Sequence, residues 1–479
     1  MDAAPAGPHH HHVTRAPDDP TAAPVFDVAV IGGGVIGCAV LRGFALGGRR
    51  AVLLELGADI LSGASKGNSA ILHTGFDAPE DSVELACMRA GRAEYLSIRD
   101  ALGLPLLETS AVVVAWTQTE ADRLPAIVDL ARRNGIGDVR PLALDELAAR
   151  EPHLAPGAHG AVLVPGESLI DPWSAPLAYA LQAIANGATV RRGTRVTAGT
   201  LDDGLWRLDS STGPVLARVI VNCAGNEGDL VEAIARPSPF AIRPRKGQFV
   251  VYDKSAAALV RSIILPVPTE RTKGVVVTPT VFGNLLVGPT AEDQDDRRTA
   301  SVERDALLAL MAHGRRLVPA LDRHEVTATY AGLRPATQFK DYQIEAVPDR
   351  RWITASGIRS TGLTAALGVA ARVRTLYGDH FGPLAIRSDP AWTPVPNLAE
   401  HRPRPWQQPG RSPIVCHCEQ VTEAEIRQAC MGPLSSGDLG GLKRRTRCMM
   451  GRCQGFHCGA RVIELAPAIG DRLAPRTAG

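Results

Sequence analysis

The chain has 479 residues and 45% hydrophobic content, too long for one simple domain and apolar enough for a large core. A net charge of +2 and 4% aromatics give no basic or stacking surface for nucleic acid. No run of roughly 18 apolar residues appears, which argues against a transmembrane helix, and no apolar leader core opens the chain.

Residues 1–24 are rich in Ala, Pro and Asp around His9–His12, and read as a disordered low-complexity tail. Phe26–Ile31 is an apolar run suited to a buried parallel strand. Gly32-Gly33-Gly34-Val35-Ile36-Gly37 follows, then a helix over Cys38–Leu46 and a strand over Ala51–Leu54 ending at Glu55. This is a βαβ unit with a dinucleotide fingerprint. Gly32 permits the tight turn, Gly34 lets a pyrophosphate approach the backbone, and Gly37 packs helix on strand. Glu55 is placed to accept from ribose hydroxyls.

Strands are expected at Ala111–Ala115, Thr189–Arg191 and Val219–Asn222, then at Phe249–Asp253, Gly274–Thr278 and Leu285–Gly288 in a more antiparallel layer. Ser301–Leu317 reads as an amphipathic helix, Trp352–Ala355 as a buried strand and Gly362–Tyr377 as a helix. From Pro383 to Pro413 prolines recur at 390, 394, 396, 403, 405 and 409, the composition of an extended, semi-rigid linker. Ile414–Gly479 is a small cysteine-rich module, with a Thr422/Glu425 capping box opening a helix.

Six of the nine cysteines lie in that last quarter. Cys416-His417-Cys418 and Cys453-x4-Cys458 supply four thiolates, a set suited to a 2Fe–2S cluster. Structural zinc is the rival reading; the single residue between Cys416 and Cys418 favours iron, since zinc ribbons use two. Clustered cysteines without a secretory signal point to a reducing cytoplasm. Cys38, Cys87, Cys223, Cys430 and Cys448 read as structural or free thiols. The basic run Lys443–Arg447 is open between a solvated helix face and a charge-balancing or docking patch.

Val221-Asn222-Cys223-Ala224-Gly225 and Gly357-Ile358-Arg359-Ser360-Thr361-Gly362 resemble the later flavin-contacting segments of the D-amino-acid-oxidase-like flavoproteins. The likeness covers residues 25–379. Asn68-Ser69-Ala70-Ile71-Leu72-His73-Thr74-Gly75, residues 273–280 and 284–290, and Tyr330-Ala331-Gly332-Leu333-Arg334 further resemble the FAD-dependent glycerol-3-phosphate dehydrogenases of the iron–sulfur-fused kind. The cysteine segment resembles the bacterioferritin-associated-ferredoxin-like 2Fe–2S module.

The resemblance implies an α/β fold. A Rossmann-like FAD-binding domain (about 25–100, 160–235 and 335–380) carries an inserted antiparallel-sheet substrate domain (about 101–159 and 236–334). A 383–412 linker leads to a small helical iron–sulfur domain at 413–479. It implies FAD contacts from Gly32, Gly34, Gly37, Glu55, Ser62, Ser65, Asn68, Ser69, Ala224, Gly225, Gly357, Gly362, Leu363 and Thr364. It implies His73 as base, Arg334 as a fork for the substrate anion, and Cys416, Cys418, Cys453 and Cys458 as cluster ligands. Lys273, Arg245 and Lys246 are weaker cationic candidates.

The implied reaction is oxidation of a small anionic secondary alcohol, sn-glycerol 3-phosphate, with hydride passing to flavin and electrons leaving through the cluster to an acceptor protein or quinone-linked subunit. L-2-hydroxyglutarate or another 2-hydroxy acid stays open as substrate. So do an amine or amino-acid dehydrogenase and a non-catalytic electron-transfer subunit on the same scaffold. Arg359 departs from the acid often found in the family beside the flavin loop. The expected location is the cytoplasm, with any membrane association made through a partner.

Overall fold

The Val25–Ile31 strand forms the centre of an eight-stranded sheet because its residues are apolar on both faces. Val28 and Val30 point into one core cluster, and Ala29 and Ile31 into another, as the period of two in a strand requires. The computed structural model describes residues 24–269 and 274–473. His9–His12 and Lys273 lie outside those residues.

Val25–Ile31 pairs in parallel with Ala51–Leu54 on one side and Val215–Asn222 on the other. Thr189–Arg191 extends the sheet in parallel beyond Ala51–Leu54, and Trp352–Ser356 beyond Val215–Asn222. Helices Val35–Leu46, Val83–Ile98, Ser174–Ala185 and Gly362–Phe381 contribute to the core on the Val28 side. The antiparallel ribbon Val196–Asp202 and Leu205–Ser210 continues the same sheet from Val215–Asn222, and its Trp206 joins the core on the opposite face, 5.5 Å from Trp352.

A second sheet has nine strands. It is mixed rather than purely antiparallel: Ile263–Pro266 runs parallel to Ala111–Ala115. These strands come from distant segments, so no tight hairpin fixes their relative direction. Gly160–Val164, expected with the FAD-binding parts, pairs instead with Ala111–Ala115 and Arg140–Leu142 in this sheet. Its alternating faces feed two cores: Val162 and Val164 join one cluster, Ala161 and Leu163 another.

The proline-rich segment is tied to both units. Ala391 O accepts from Gln182 Nε2 and Asn186 Nδ2, Val395 N donates to Leu102 O, and Glu400 N donates to Val281 O. Leu398 and Ala399 are buried, and Arg404 is almost fully enclosed. Arg404 Nη1 bonds Glu400 Oε1 at 2.8 Å and Glu419 O at 3.0 Å, connecting this strap to the last module.

The module comprises a two-stranded ribbon and four short helices around Cys416, Val421, Ile426, Leu442, Cys458 and Val462. Its Thr422/Glu425 capping box forms at the start of Glu423–Ala429. The basic run is a docking face. Arg445 grips Asp59 through both carboxylate oxygens at 2.5 and 2.8 Å, and Arg444 Nη2 bonds Ile60 O at 3.0 Å. Arg452 makes a second bidentate contact, with Asp253 just past the strand Arg245–Tyr252 of the nine-stranded sheet. No helix among the described residues is long and apolar enough to cross a membrane.

Candidate functional site

A cavity of about 1630 Å³ opens where the carboxyl ends of the parallel strands meet the nine-stranded sheet. This is where an open α/β sheet collects ligands. Gly32, at φ +107°, starts the turn at its floor; a Cβ there would come within 2.5 Å of Cys223 O. A Cβ on Gly37 would stand 1.9 Å from Gly32 O, so the helix can approach the strand only if that residue is glycine. Gly37 accordingly packs behind the turn, while Gly32, Gly34, Val35 and Ile36 line the cavity. The helix N-terminus there suits a phosphate.

Glu55 borders the same end and is largely buried. Burial raises its pKa, opposed by the N–H groups of Gly57 and Gly33, which donate to its two oxygens at 2.6 Å each. Each oxygen keeps a second lone pair for a ribose hydroxyl. Ser65 Oγ accepts from Val35 N at 3.0 Å, joining the next wall segment to the helix start. Ser62, Asn68 and Ser69 complete that wall, with Asn68 O held by Tyr330 Oη at 2.7 Å. Ala224, Gly225, Gly357, Gly362 and Leu363 line the opposite side.

Thr364 is buried outside the lining. Its Oγ1 donates to Ile71 O at 3.2 Å and accepts from His73 N at 3.0 Å, so it positions the strand end that carries His73.

His73 borders the cavity, and its Nδ1 lies 2.8 Å from Oε2 of Glu167. Glu167 is fully buried and also accepts from Thr74 N and Thr74 Oγ1, at 2.6 and 2.8 Å. An ionised carboxylate only accepts, so opposite one Nδ1 is the donor and Nε2 the ring's acceptor. Nε2 has no protein partner among the described residues. A carboxylate orienting a base is the usual arrangement in general-base sites. Glu167, in the turn before Ser168–Ile170, is the functional candidate that sequence reading missed.

Arg334 lies at the end of strand Val326–Arg334 and lines the cavity from the other sheet. Its Nη2 donates to Thr290 O at 2.7 Å and Lys246 O at 3.2 Å, and its Nε to Arg245 O at 3.3 Å. No carboxylate pairs with it among the described residues. Burial, then the neighbouring Arg245, lowers its pKa to about 10, so it stays cationic at neutral pH. Arg245 also reaches the cavity but is bound to Asp293 at 2.8 Å. Lys246 points elsewhere, its ammonium between Glu292 and Glu303. Arg359 lines the cavity with its guanidinium on Lys340 O at 2.7 Å.

The module's cysteines form two side-chain pairs: Cys416 with Cys458, and Cys418 with Cys453. Cys416 and Cys458 are buried in the module core. The backbone N–H of His457 and then those of Gly455 and Phe456 lower the Cys453 pKa, while burial pushes Cys458 up to about 12. No disulfide joins any of the nine cysteines. Among the described residues no group of three or more His, Cys, Asp or Glu side chains is arranged as a metal site. Cys448 is fully buried beside the pairs, its thiol raised to about 11 by burial.

The family model described as DAO, FAD dependent oxidoreductase, matches residues 27–376. A glycerol 3-phosphate dehydrogenase of Caloramator mitchellensis is 30% identical, over 92% of this chain and 94% of its own length. One subunit of the anaerobic glycerol-3-phosphate dehydrogenase of Escherichia coli (strain K12) is 26% identical, over 92% of this chain and 87% of its own. Among solved structures, the dithionite-reduced L-alpha-glycerophosphate oxidase of Mycoplasma pneumoniae with FAD bound superposes with a TM-score of 0.73 and 27% identity. That match covers 78% of this chain and all of the oxidase.

Proposed function

Because the chain belongs to the DAO family of FAD-dependent oxidoreductases, we propose that it oxidises sn-glycerol 3-phosphate to dihydroxyacetone phosphate. The observation that carries this reading is the pairing, across one cavity, of a carboxylate-held imidazole with a buried arginine lacking a carboxylate partner among the described residues. The names of the relatives point to the same substrate.

The residues around the Gly32–Gly37 turn fit FAD. The glycines leave space no side chain could share, and Glu55, Ser62, Ser65 and the two helix N-termini offer partners for ribose and phosphate. Bound FAD supplies the hydride acceptor. Backbone carbonyls occupy Nε and Nη2 of Arg334, so its Nη1 N–H groups and its charge meet the substrate phosphate in place of the expected two-nitrogen fork. His73 Nε2 accepts the hydroxyl proton as hydride leaves carbon, and Glu167 steadies the imidazolium that results. The apolar part of the wall, including Phe249 and Val276, limits water beside the reacting carbon.

The donor set of Cys416, Cys418, Cys453 and Cys458 fits a 2Fe–2S cluster by its chemistry: four thiols, half of them buried, with main-chain N–H groups directed at Cys453. Such a cluster supplies one-electron transfer. A relay of this kind requires an acceptor protein or quinone-linked partner, in keeping with the Escherichia coli relative, whose name makes it one subunit of a larger dehydrogenase. The enzyme then works in the cytoplasm and meets a membrane only through that partner.

The test is an anaerobic panel. Glycerol 3-phosphate is expected to bleach the bound flavin. Bleaching by L-2-hydroxyglutarate or an amino acid instead would reassign the substrate, and no bleaching by any of them would leave an electron-transfer subunit.

A further inference from the structure

One chain of side chains leads from the cavity wall to the cysteine module. Lys66 and Pro172 line the cavity. Trp173, next in sequence, donates its indole N–H to Lys66 O at 3.1 Å. Its ring is stacked on Phe282, with centroids 5.4 Å apart and planes 14° from parallel. Arg447 places its guanidinium 4.0 Å from the Phe282 centroid. Arg447 is followed in sequence by Cys448, whose side chain shares the module core with Cys416 and Cys458.

Both ends of this chain are fixed. Arg447 Nε bonds Glu419 at 2.9 Å, its Nη2 reaches Asn284 at 3.3 Å, and Glu419 follows Cys418 in sequence. The docked helix Leu439–Thr446 ends at Arg447, whose φ of +66° turns the backbone toward Cys448. Phe282 sits on the turn between Val276–Pro279 and Leu285–Gly288, so the nine-stranded sheet itself holds the ring in place.

We propose that Trp173 and Phe282 form the electron exit from the flavin cavity to the cysteine module. The inference rests on the reading that the four cysteines hold a 2Fe–2S cluster. Electron tunnelling decays less steeply through atoms in contact or hydrogen-bonded than across empty space, so an unbroken run of contacts favours transfer along it. Through this stack the reduced flavin gives up one electron, which converts one ferric iron of the cluster to ferrous iron. The second electron follows once the cluster has passed the first to a one-electron acceptor protein. The flavin proton is released to water.

The experiment uses holoenzyme with FAD and iron content measured, and reduces the flavin by a laser flash, which makes it independent of substrate identity. Cluster reduction is followed by its visible bleaching and by the paramagnetic signal of the reduced cluster. Phe282→Leu and Trp173→Leu are expected to slow flavin-to-cluster transfer about tenfold or more, while the ring-preserving Phe282→Tyr stays within about twofold. FAD and iron contents should match wild type in all three. Unchanged transfer in iron-replete Leu variants overturns the route and leaves the proposed function standing. Wild-type protein purified anaerobically without iron overturns the cluster reading and the route together.

Discussion

Oε2 of Glu167 lies 2.8 Å from Nδ1 of His73, a contact between residues 94 positions apart in the chain. It fixes the orientation of a partly exposed imidazole on the wall of the cavity that Arg334 lines from the other sheet, the arrangement the proposed base needs. Glu167→Gln retains the shape but can present an amide N–H to the ring, favouring the wrong tautomer. Single-turnover flavin reduction should fall by about two to four orders of magnitude, the range of general-base contributions, with little change in substrate affinity. His73→Asn should match it, and the double variant should lose little more, because the two act as a unit.

Arg334→Met removes the cation while keeping much of the bulk. Apparent affinity for glycerol 3-phosphate should weaken by about two orders of magnitude, equivalent to about 3 kcal/mol. FAD content should be unchanged. A variant that binds the substrate normally would assign the anion to Arg245 or Arg359.

The lowered pKa of Arg334 sets a pH limit. Its guanidinium is charged below about 10 and loses its proton as pH rises through that value, because burial and then Arg245 disfavour the cation. KM for the phosphate substrate should therefore stay flat from pH 7 to 9 and climb above about 10. Initial rates in a constant-ionic-strength buffer series check this. In Arg334→Met the rise should vanish.

Asp59 is fully buried beneath the docked module. Burial pushes its pKa up, but the Arg445 hydrogen bonds and charge more than offset this and hold it low. Asp59→Ala strands Arg445, and losing one partner of a buried pair costs about 3–5 kcal/mol. Because Asp59 precedes Ser62 on the cavity wall, the same change should weaken FAD retention. Calorimetry, limited proteolysis near residues 404–414 and FAD released on gel filtration measure the two effects.

Gly37→Ala brings a methyl group onto the Gly32 carbonyl. Separating helix from strand opens the turn, and the variant should purify without FAD while keeping its secondary structure by circular dichroism.

The strand, glycine turn and helix were legible in the sequence because each is specified by neighbours a few residues apart. The same holds for the Thr422/Glu425 cap. His73 and Arg334 could be nominated from motifs, yet their meeting in one cavity depends on two different sheets. Glu167 carried no local mark: a glutamate in a Gly-Glu-Ser turn looks solvent-facing, and only tertiary packing buries it. The basic run illustrates the same limit, since Lys443–Arg447 fits a solvated face and a docking patch equally until Asp59 and Ile60 appear beneath Arg445 and Arg444. The parallel pairing of Ile263–Pro266 with Ala111–Ala115 links segments about 150 residues apart, beyond what periodicity encodes. The proline-rich strap likewise gave no sign that Leu398 and Ala399 would be buried.

The most direct test is anaerobic mixing of the FAD-replete enzyme with sn-glycerol 3-phosphate, following flavin absorbance and assaying dihydroxyacetone phosphate. Flavin bleaching with at least one product formed per flavin, slowed about a hundredfold in Arg334→Met at the same subsaturating substrate concentration, is the predicted result. A flavin that stays oxidised with glycerol 3-phosphate, yet is bleached by a chemical reductant, would contradict the account.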